Sequence, residues 1–97
     1  MNSGFCVLNE VYEIVLERLK EMPEGSYTAR LARGGVEFAS RKLGEEAVEV
    51  IVEALRGGSE DLAEEAGDLL YHLLVVLALR GVGPRDVERV LRARMKG

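Results

Sequence analysis

The stretch "KLGEEAVEVIVEALRGGSEDLAEEAGDLLYHLLVVLALR", Lys42 to Arg80, decides the fold. Gly57 and Gly58 divide it into two halves of helical length. A glycine pair ends a helix because glycine leaves the right-handed helical conformation at little steric cost. Ser59 follows as the expected cap, with Glu60 and Asp61 behind it. Acids in a first turn suit the positive end of the helix dipole. The first half therefore reads as a helix from about Val36 to Leu55, and the second as one from Ser59 to about Arg80. The short link between them predicts antiparallel packing. After Asp68 the second helix is apolar almost all round, which predicts burial on several sides.

Working outward, helical periodicity continues. Val7, Val11, Ile14, Val15, Leu19 and Met22 recur at i, i+3/i+4 and mark an amphipathic helix before the stretch. Pro23 and Gly25 interrupt it. "PEGSYTARLARGG" leaves room for one short helix around Thr28 to Ala32, capped by Ser26 or Thr28. Beyond Gly81, Gly83 and Pro84 a last helix carries Val87, Val90, Leu91 and Met95 on one stripe. Its Arg85, Arg89, Arg92 and Arg94 read as mostly solvated. No strand-like alternation persists, so the expectation is one all-α domain over residues 1–97. Its form is a helical bundle centred on two long antiparallel helices. A chain of 97 residues supplies few partners for so apolar a helix, and a homodimer is expected to complete the bundle.

Composition excludes several classes. The hydrophobic share of 47% is too high for a disordered chain. A net charge of −4 argues against nonspecific nucleic-acid binding, which needs a basic face. Cys6 is the single cysteine, so a Cys-rich zinc site and an intramolecular disulfide are out, and Cys6 reads as a free thiol. The longest nearly apolar run, Leu69 to Leu79, is about half the ~20 residues a membrane span needs. "MNSGFCVLNE" lacks the features of a signal peptide. The expectation is a cytoplasmic protein without membrane partners.

The acids carry the chemistry. With about 100° per residue, Glu45, Glu46 and Glu49 share an arc of about 100°, and Glu53 extends it by a turn. On the next helix Glu65 and Asp68 are i, i+3 neighbours. Antiparallel packing brings the pair Glu46 and Glu49 towards the pair Glu65 and Asp68. Like charges about 4 Å apart repel by roughly 4 kcal/mol at an effective dielectric near 20. Such a cluster takes up protons, stays wet, or binds cations. Oxygen-only ligation points to a hard cation, Mg²⁺ or Mn²⁺. The plain alternative is a solvated acidic face on a non-catalytic helical dimerisation module. Against it, the i+4 partners of Glu45, Glu46 and Glu49 are Glu49, Val50 and Glu53, none of them basic.

Other chemistries fail. A di-iron carboxylate bundle needs Glu-x-x-His, and the residue three before His72 is Leu69. Neither phosphate-binding glycine loop is present. His72, alone in an apolar run, reads first as a hydrogen-bonded core histidine.

Glu-Glu-x-x-Glu at Glu45, Glu46 and Glu49, followed by Glu-x-x-Asp at Glu65 and Asp68, resembles the signature of the all-α nucleoside triphosphate pyrophosphohydrolases. Three pieces narrow the resemblance: "SYTARL" at Ser26 to Leu31, "RKLGEEAVEV" at Arg41 to Val50, and "DLLYHLLVVLALRGV" at Asp68 to Val82. Together they resemble the phosphoribosyl-ATP pyrophosphohydrolase family, which acts second in histidine biosynthesis. The resemblance runs from about Leu8 to Arg94.

It implies Mg²⁺-dependent hydrolysis of N1-(5-phosphoribosyl)-ATP to phosphoribosyl-AMP and pyrophosphate. It implies Glu46, Glu49, Glu65 and Asp68 as metal ligands, with Glu45, Glu46 and Glu49 as the catalytic acids. Glu45 either holds a second ion, directly or through water, or accepts the proton of the attacking water. The ribose phosphate away from the cut calls for cations, and Lys42, Arg41, Arg33 and Arg30 are the candidates, Lys42 first. Ser26, Tyr27 and Thr28 either position base or phosphate or cap a helix, and His72 joins them as a substrate-binding candidate. A housecleaning hydrolase for ordinary or damaged nucleotides would carry the same acids.

Overall fold

The computed structural model describes residues 4–96, with side chains from residue 7 onward. The thiol expected of Cys6 lies outside the described side chains. Five helices follow one another: α1 Gly4–Glu21, α2 Tyr27–Arg33, α3 Gly35–Arg56, α4 Ser59–Leu79 and α5 Pro84–Met95. Among the described residues there is no strand, and the all-α expectation holds.

The breaks fall where the small residues sit. Gly34 alone separates α2 from α3, and Gly35 takes φ +80°, a left-handed conformation that glycine adopts without strain. Ser26 caps α2, its Oγ accepting from the Ala29 N–H at 3.1 Å. Ser59 does not cap α4. Gly58 holds the extended cap position at φ −84°, ψ 167°, no side chain caps that end, and Ser59 is the first helical residue. Glu60 and Asp61 do fall in the first turn. At α5 the cap is Gly83, whose N–H donates to the Asp86 carboxylate at 2.9 Å, and Pro84 opens the helix.

α3 and α4 pack together as the most extensive helix pair in the chain, joined by Gly57 and Gly58. The core gathers towards one end of that pair. Val15 of α1, Leu31 of α2, Ala39 of α3 and Val75 of α4 are fully buried there. Each fully buried valine or leucine contributes about 1.5–3 kcal/mol. Phe38, Tyr71, Val76 and Leu79 pack around them. α5 packs on α1, and the Tyr12 hydroxyl donates to the Val82 carbonyl at 2.8 Å just before it.

α4 is less enclosed than its composition predicts. His72, Leu74 and Val75 are buried, yet Leu70 is 43% exposed. α3 exposes Val48, Ile51 and Leu55 at 57%, 57% and 80%. Their i, i+3, i+7 spacing puts them on one face. Among the described residues no single helix is long and apolar enough to cross a membrane.

Candidate functional site

The carboxylates lie on the part of the α3–α4 pair nearer its linking glycines, away from the core. A helix brings i and i+3 side chains onto one face, so each helix presents its acids as a unit. The structure brings Glu46 of α3 together with Glu65 and Asp68 of α4: one oxygen from each lies within 4.8 Å of the other two. Glu46 and Glu65 are half-buried and Asp68 is exposed. No ion pair among the described residues reaches any of the three. Glu49 is not one of the converging three, but its charge acts on Glu65.

Electrostatics mark Glu65. Its carboxyl is pushed above the usual range, first by lost solvation, then by the charges of Asp68, Glu46, Glu49 and Glu53. Glu45 is not one of the converging three. Its Oε1 lies 3.5 Å from Lys42 Nζ, an exposed pair of small energetic weight.

A second group of residues joins α2 to α4. The Asp68 backbone carbonyl lies 2.7 Å from His72 Nδ1, and a carbonyl only accepts, so Nδ1 carries the hydrogen. In the neutral ring this leaves Nε2 to accept from the Tyr27 hydroxyl at 2.9 Å. The Tyr27 hydroxyl is held above its ordinary range, chiefly by desolvation, with Lys42 opposing and Glu46 adding to the rise. His72 stands edge-on to Tyr27 and Tyr71, at centroid distances of 5.5 and 5.2 Å. Thr28, buried beneath, shares a hydrogen bond with the Tyr71 hydroxyl. Thus Ser26 caps, Thr28 braces, and Tyr27 alone of the three has a partly exposed ring.

The candidate cations separate in the same way. The Arg30 guanidinium lies over the Tyr27 ring, 5.2 Å from its centroid. Arg33 Nη2 reaches back to the Met22 carbonyl at 3.5 Å. Lys42 Nζ lies 5.6 Å from the Phe38 ring centroid and the Arg41 guanidinium 6.0 Å from it. Tyr27, Arg30, Arg33, Gly34, Phe38 and Lys42 line a groove of about 550 Å³; Arg41 does not. Phe38 escaped the sequence reading. The available signal was its place four residues before Lys42, on the same helix face.

Three oxygen donors converging from two helices, without a cationic partner among the described residues, fit a hard divalent cation. Fold and site together define an all-α protein with a carboxylate cluster that could hold a metal ion, and a cationic groove. The comparisons with known proteins are more specific. Residues 8–95 match the profile of the family described as phosphoribosyl-ATP pyrophosphohydrolase. A phosphoribosyl-ATP pyrophosphatase of Metallosphaera sedula is 53% identical over 90 residues, covering 93% of this chain and 97% of the relative. Proteins of the same name from Saccharolobus solfataricus and Sulfurisphaera tokodaii are 46% and 48% identical, each covering 93% of this chain and 96% of the relative. The chain belongs to the phosphoribosyl-ATP pyrophosphohydrolase family, a family of hydrolases of the diphosphatase type.

Proposed function

We propose that this protein hydrolyses N1-(5-phosphoribosyl)-ATP to phosphoribosyl-AMP and pyrophosphate, the second step of histidine biosynthesis, using Mg²⁺ held by its α3 and α4 carboxylates. The observation that carries this reading is the convergence of Glu46, Glu65 and Asp68, none of them in an ion pair among the described residues. Water adds its oxygen to phosphorus at the α–β anhydride, the bridging oxygen leaves with pyrophosphate, and one water proton must be removed. When bound, the cation neutralises the phosphate oxygens around that bond and makes water more acidic. Mn²⁺ suits the same oxygen donors.

The chain's own residues divide the rest. Glu46, Glu65 and Asp68 are the ligand set, and Glu49 stands next to it. Glu45 is already paired with Lys42, whereas Glu49 has no ion-pair partner among the described residues. That favours Glu49 as the acceptor of the water proton. Lys42 and the arginines of α2 offset the substrate's charge outside the cation's reach.

A second copy of the chain fits the exposed row Val48, Ile51 and Leu55, and a homodimer is part of the same proposal. The test is a substrate panel with Mg²⁺, setting phosphoribosyl-ATP against dUTP, dCTP and the four ribonucleotides. The expected result is pyrophosphate release from phosphoribosyl-ATP far above the others. Faster turnover of an ordinary triphosphate would replace this reading with a housecleaning hydrolase.

A further inference from the structure

The groove between α2 and α3 has a composition unlike the rest of the surface. Arg30, Arg33 and Lys42 bring three cations to it, Tyr27 and Phe38 bring two rings, and no acid is among its lining residues. Its volume of about 550 Å³ falls within the range of about 300–1,000 Å³ usual for small-molecule sites. α5 also gathers cations, but Arg89 and Arg92 are bonded to Asp86 and Glu88. Arg30 and Arg33 are in no ion pair among the described residues. They sit at i, i+3 on α2, so their guanidinium groups rise from one face.

The walls of the groove are set with little slack. A Cβ on Gly34 would lie 2.5 Å from the Phe38 ring, so the ring covers the bare backbone of Gly34. The other wall, Tyr27, is anchored through His72 to the Asp68 carbonyl, on the helix that carries the acids. Lys42 lines the groove, and the charges of both Lys42 and Glu46 act on the Tyr27 hydroxyl, which sets the groove beside the carboxylate face.

Resting on the hydrolase reading above, we infer that this groove is the subsite for the substrate's uncut arm, the N1-linked ribose phosphate. The triphosphate needs a cation to lie against the carboxylates. The remote monophosphate carries about −1.5 to −2 charge and has no such shield, so it must find protein cations and avoid acids. Among the described residues the α2–α3 groove adjoins the acid face with that character. Arg30 and Arg33 contact the phosphate, where the planar guanidinium matches its oxygens in pairs. Tyr27 and Phe38 wall the sugar. Lys42, tied to Glu45, stands at the border between the two halves of the substrate. The groove therefore tells phosphoribosyl-ATP from ATP, which has the same triphosphate and lacks this arm.

The test uses the full chain with Mg²⁺ and two inhibitors, ribose 5-phosphate and pyrophosphate. In Arg30→Ala/Arg33→Ala the expected result is a KM for phosphoribosyl-ATP raised about tenfold or more. The loss falls on KM rather than kcat. Inhibition by ribose 5-phosphate disappears while inhibition by pyrophosphate persists. Arg30→Lys/Arg33→Lys recovers part of the KM loss, since charge returns without the planar fork. Unchanged KM and unchanged ribose 5-phosphate inhibition in the alanine variant overturn the subsite. Should the wild type fail to cleave phosphoribosyl-ATP, direct calorimetry with ribose 5-phosphate decides. Binding that depends on Arg30 and Arg33 keeps the phosphate site and removes only the hydrolase reading; no binding removes the subsite as well.

Discussion

Asp86 and Glu65 are both helix acids, and the fold treats them in opposite ways. Asp86 accepts from the Gly83 N–H at 2.9 Å and from Arg89 at 2.6 Å. Its carboxyl is held below the usual range, first by the Gly83 hydrogen bond and then by Arg89. Glu65 loses solvent, faces Asp68, Glu46, Glu49 and Glu53, and is held above its usual range. The α5 acid repays its ionisation within the folded chain. The α4 acid has no such partner among the described residues. That difference is the one expected between an acid that serves folding and one that, on the proposed function, serves chemistry.

The largest expected effect comes from the unpartnered side of the comparison. Asp68→Asn and Glu46→Gln should each lower pyrophosphate release by about a hundredfold or more, with the helical circular-dichroism spectrum unchanged. Activity within threefold of wild type would place the metal elsewhere. A smaller effect is expected at the link from α2 to α4. Tyr27→Phe removes the donor to His72 Nε2 and should cost about 1 kcal/mol in denaturant unfolding. A loss indistinguishable from zero would show that the link does not hold the two helices.

The two acids themselves give the smallest effects, and their signs are opposed. A raised carboxyl contributes stability that is present at low pH and lost as pH rises from its ordinary value of 4.5 through its folded value. Metal-free Glu65→Gln should therefore melt higher than wild type at pH 7, the gap closing below about pH 4. A lowered carboxyl works the other way: its stability is present above 3.8 and lost as pH falls through its folded value. Asp86→Asn should melt lower than wild type at pH 7, with that gap closing in acid. Scanning calorimetry of both variants across pH 3–7 reads the two trends together. Trends of the same sign would dissolve the comparison.

Much of this was legible in the sequence, for local reasons. Glycine and proline at 34–35, 57–58 and 81–84 set the breaks, and i, i+3/i+4 stripes set the helices between them. The cap of α4 was misplaced by one residue, because Gly58 and Ser59 both suit a cap and only the backbone decides which is extended. The acid arc was legible because a single helix period generates it. Which of its members converge was not: Glu46 joins Glu65 and Asp68 while Glu45 turns to Lys42, and that depends on how two helices rotate against each other. The bond from Tyr27 to His72 spans 45 positions, and no local pattern reveals it. Phe38 lay in plain view, yet an aromatic at helical spacing reads as core until the groove beside it is seen.

The central claim is that Glu46, Glu65 and Asp68 bind a divalent cation that folding alone does not require. Thermal melting with and without Mg²⁺, on wild type and Asp68→Asn side by side, tests it most directly. At about a hundred times Kd, ligand binding adds about 2.7 kcal/mol, or roughly 10–20 °C for a chain of this size. Wild type should gain on that order and Asp68→Asn should gain little. Equal gains in both proteins, or none in either, would contradict the account.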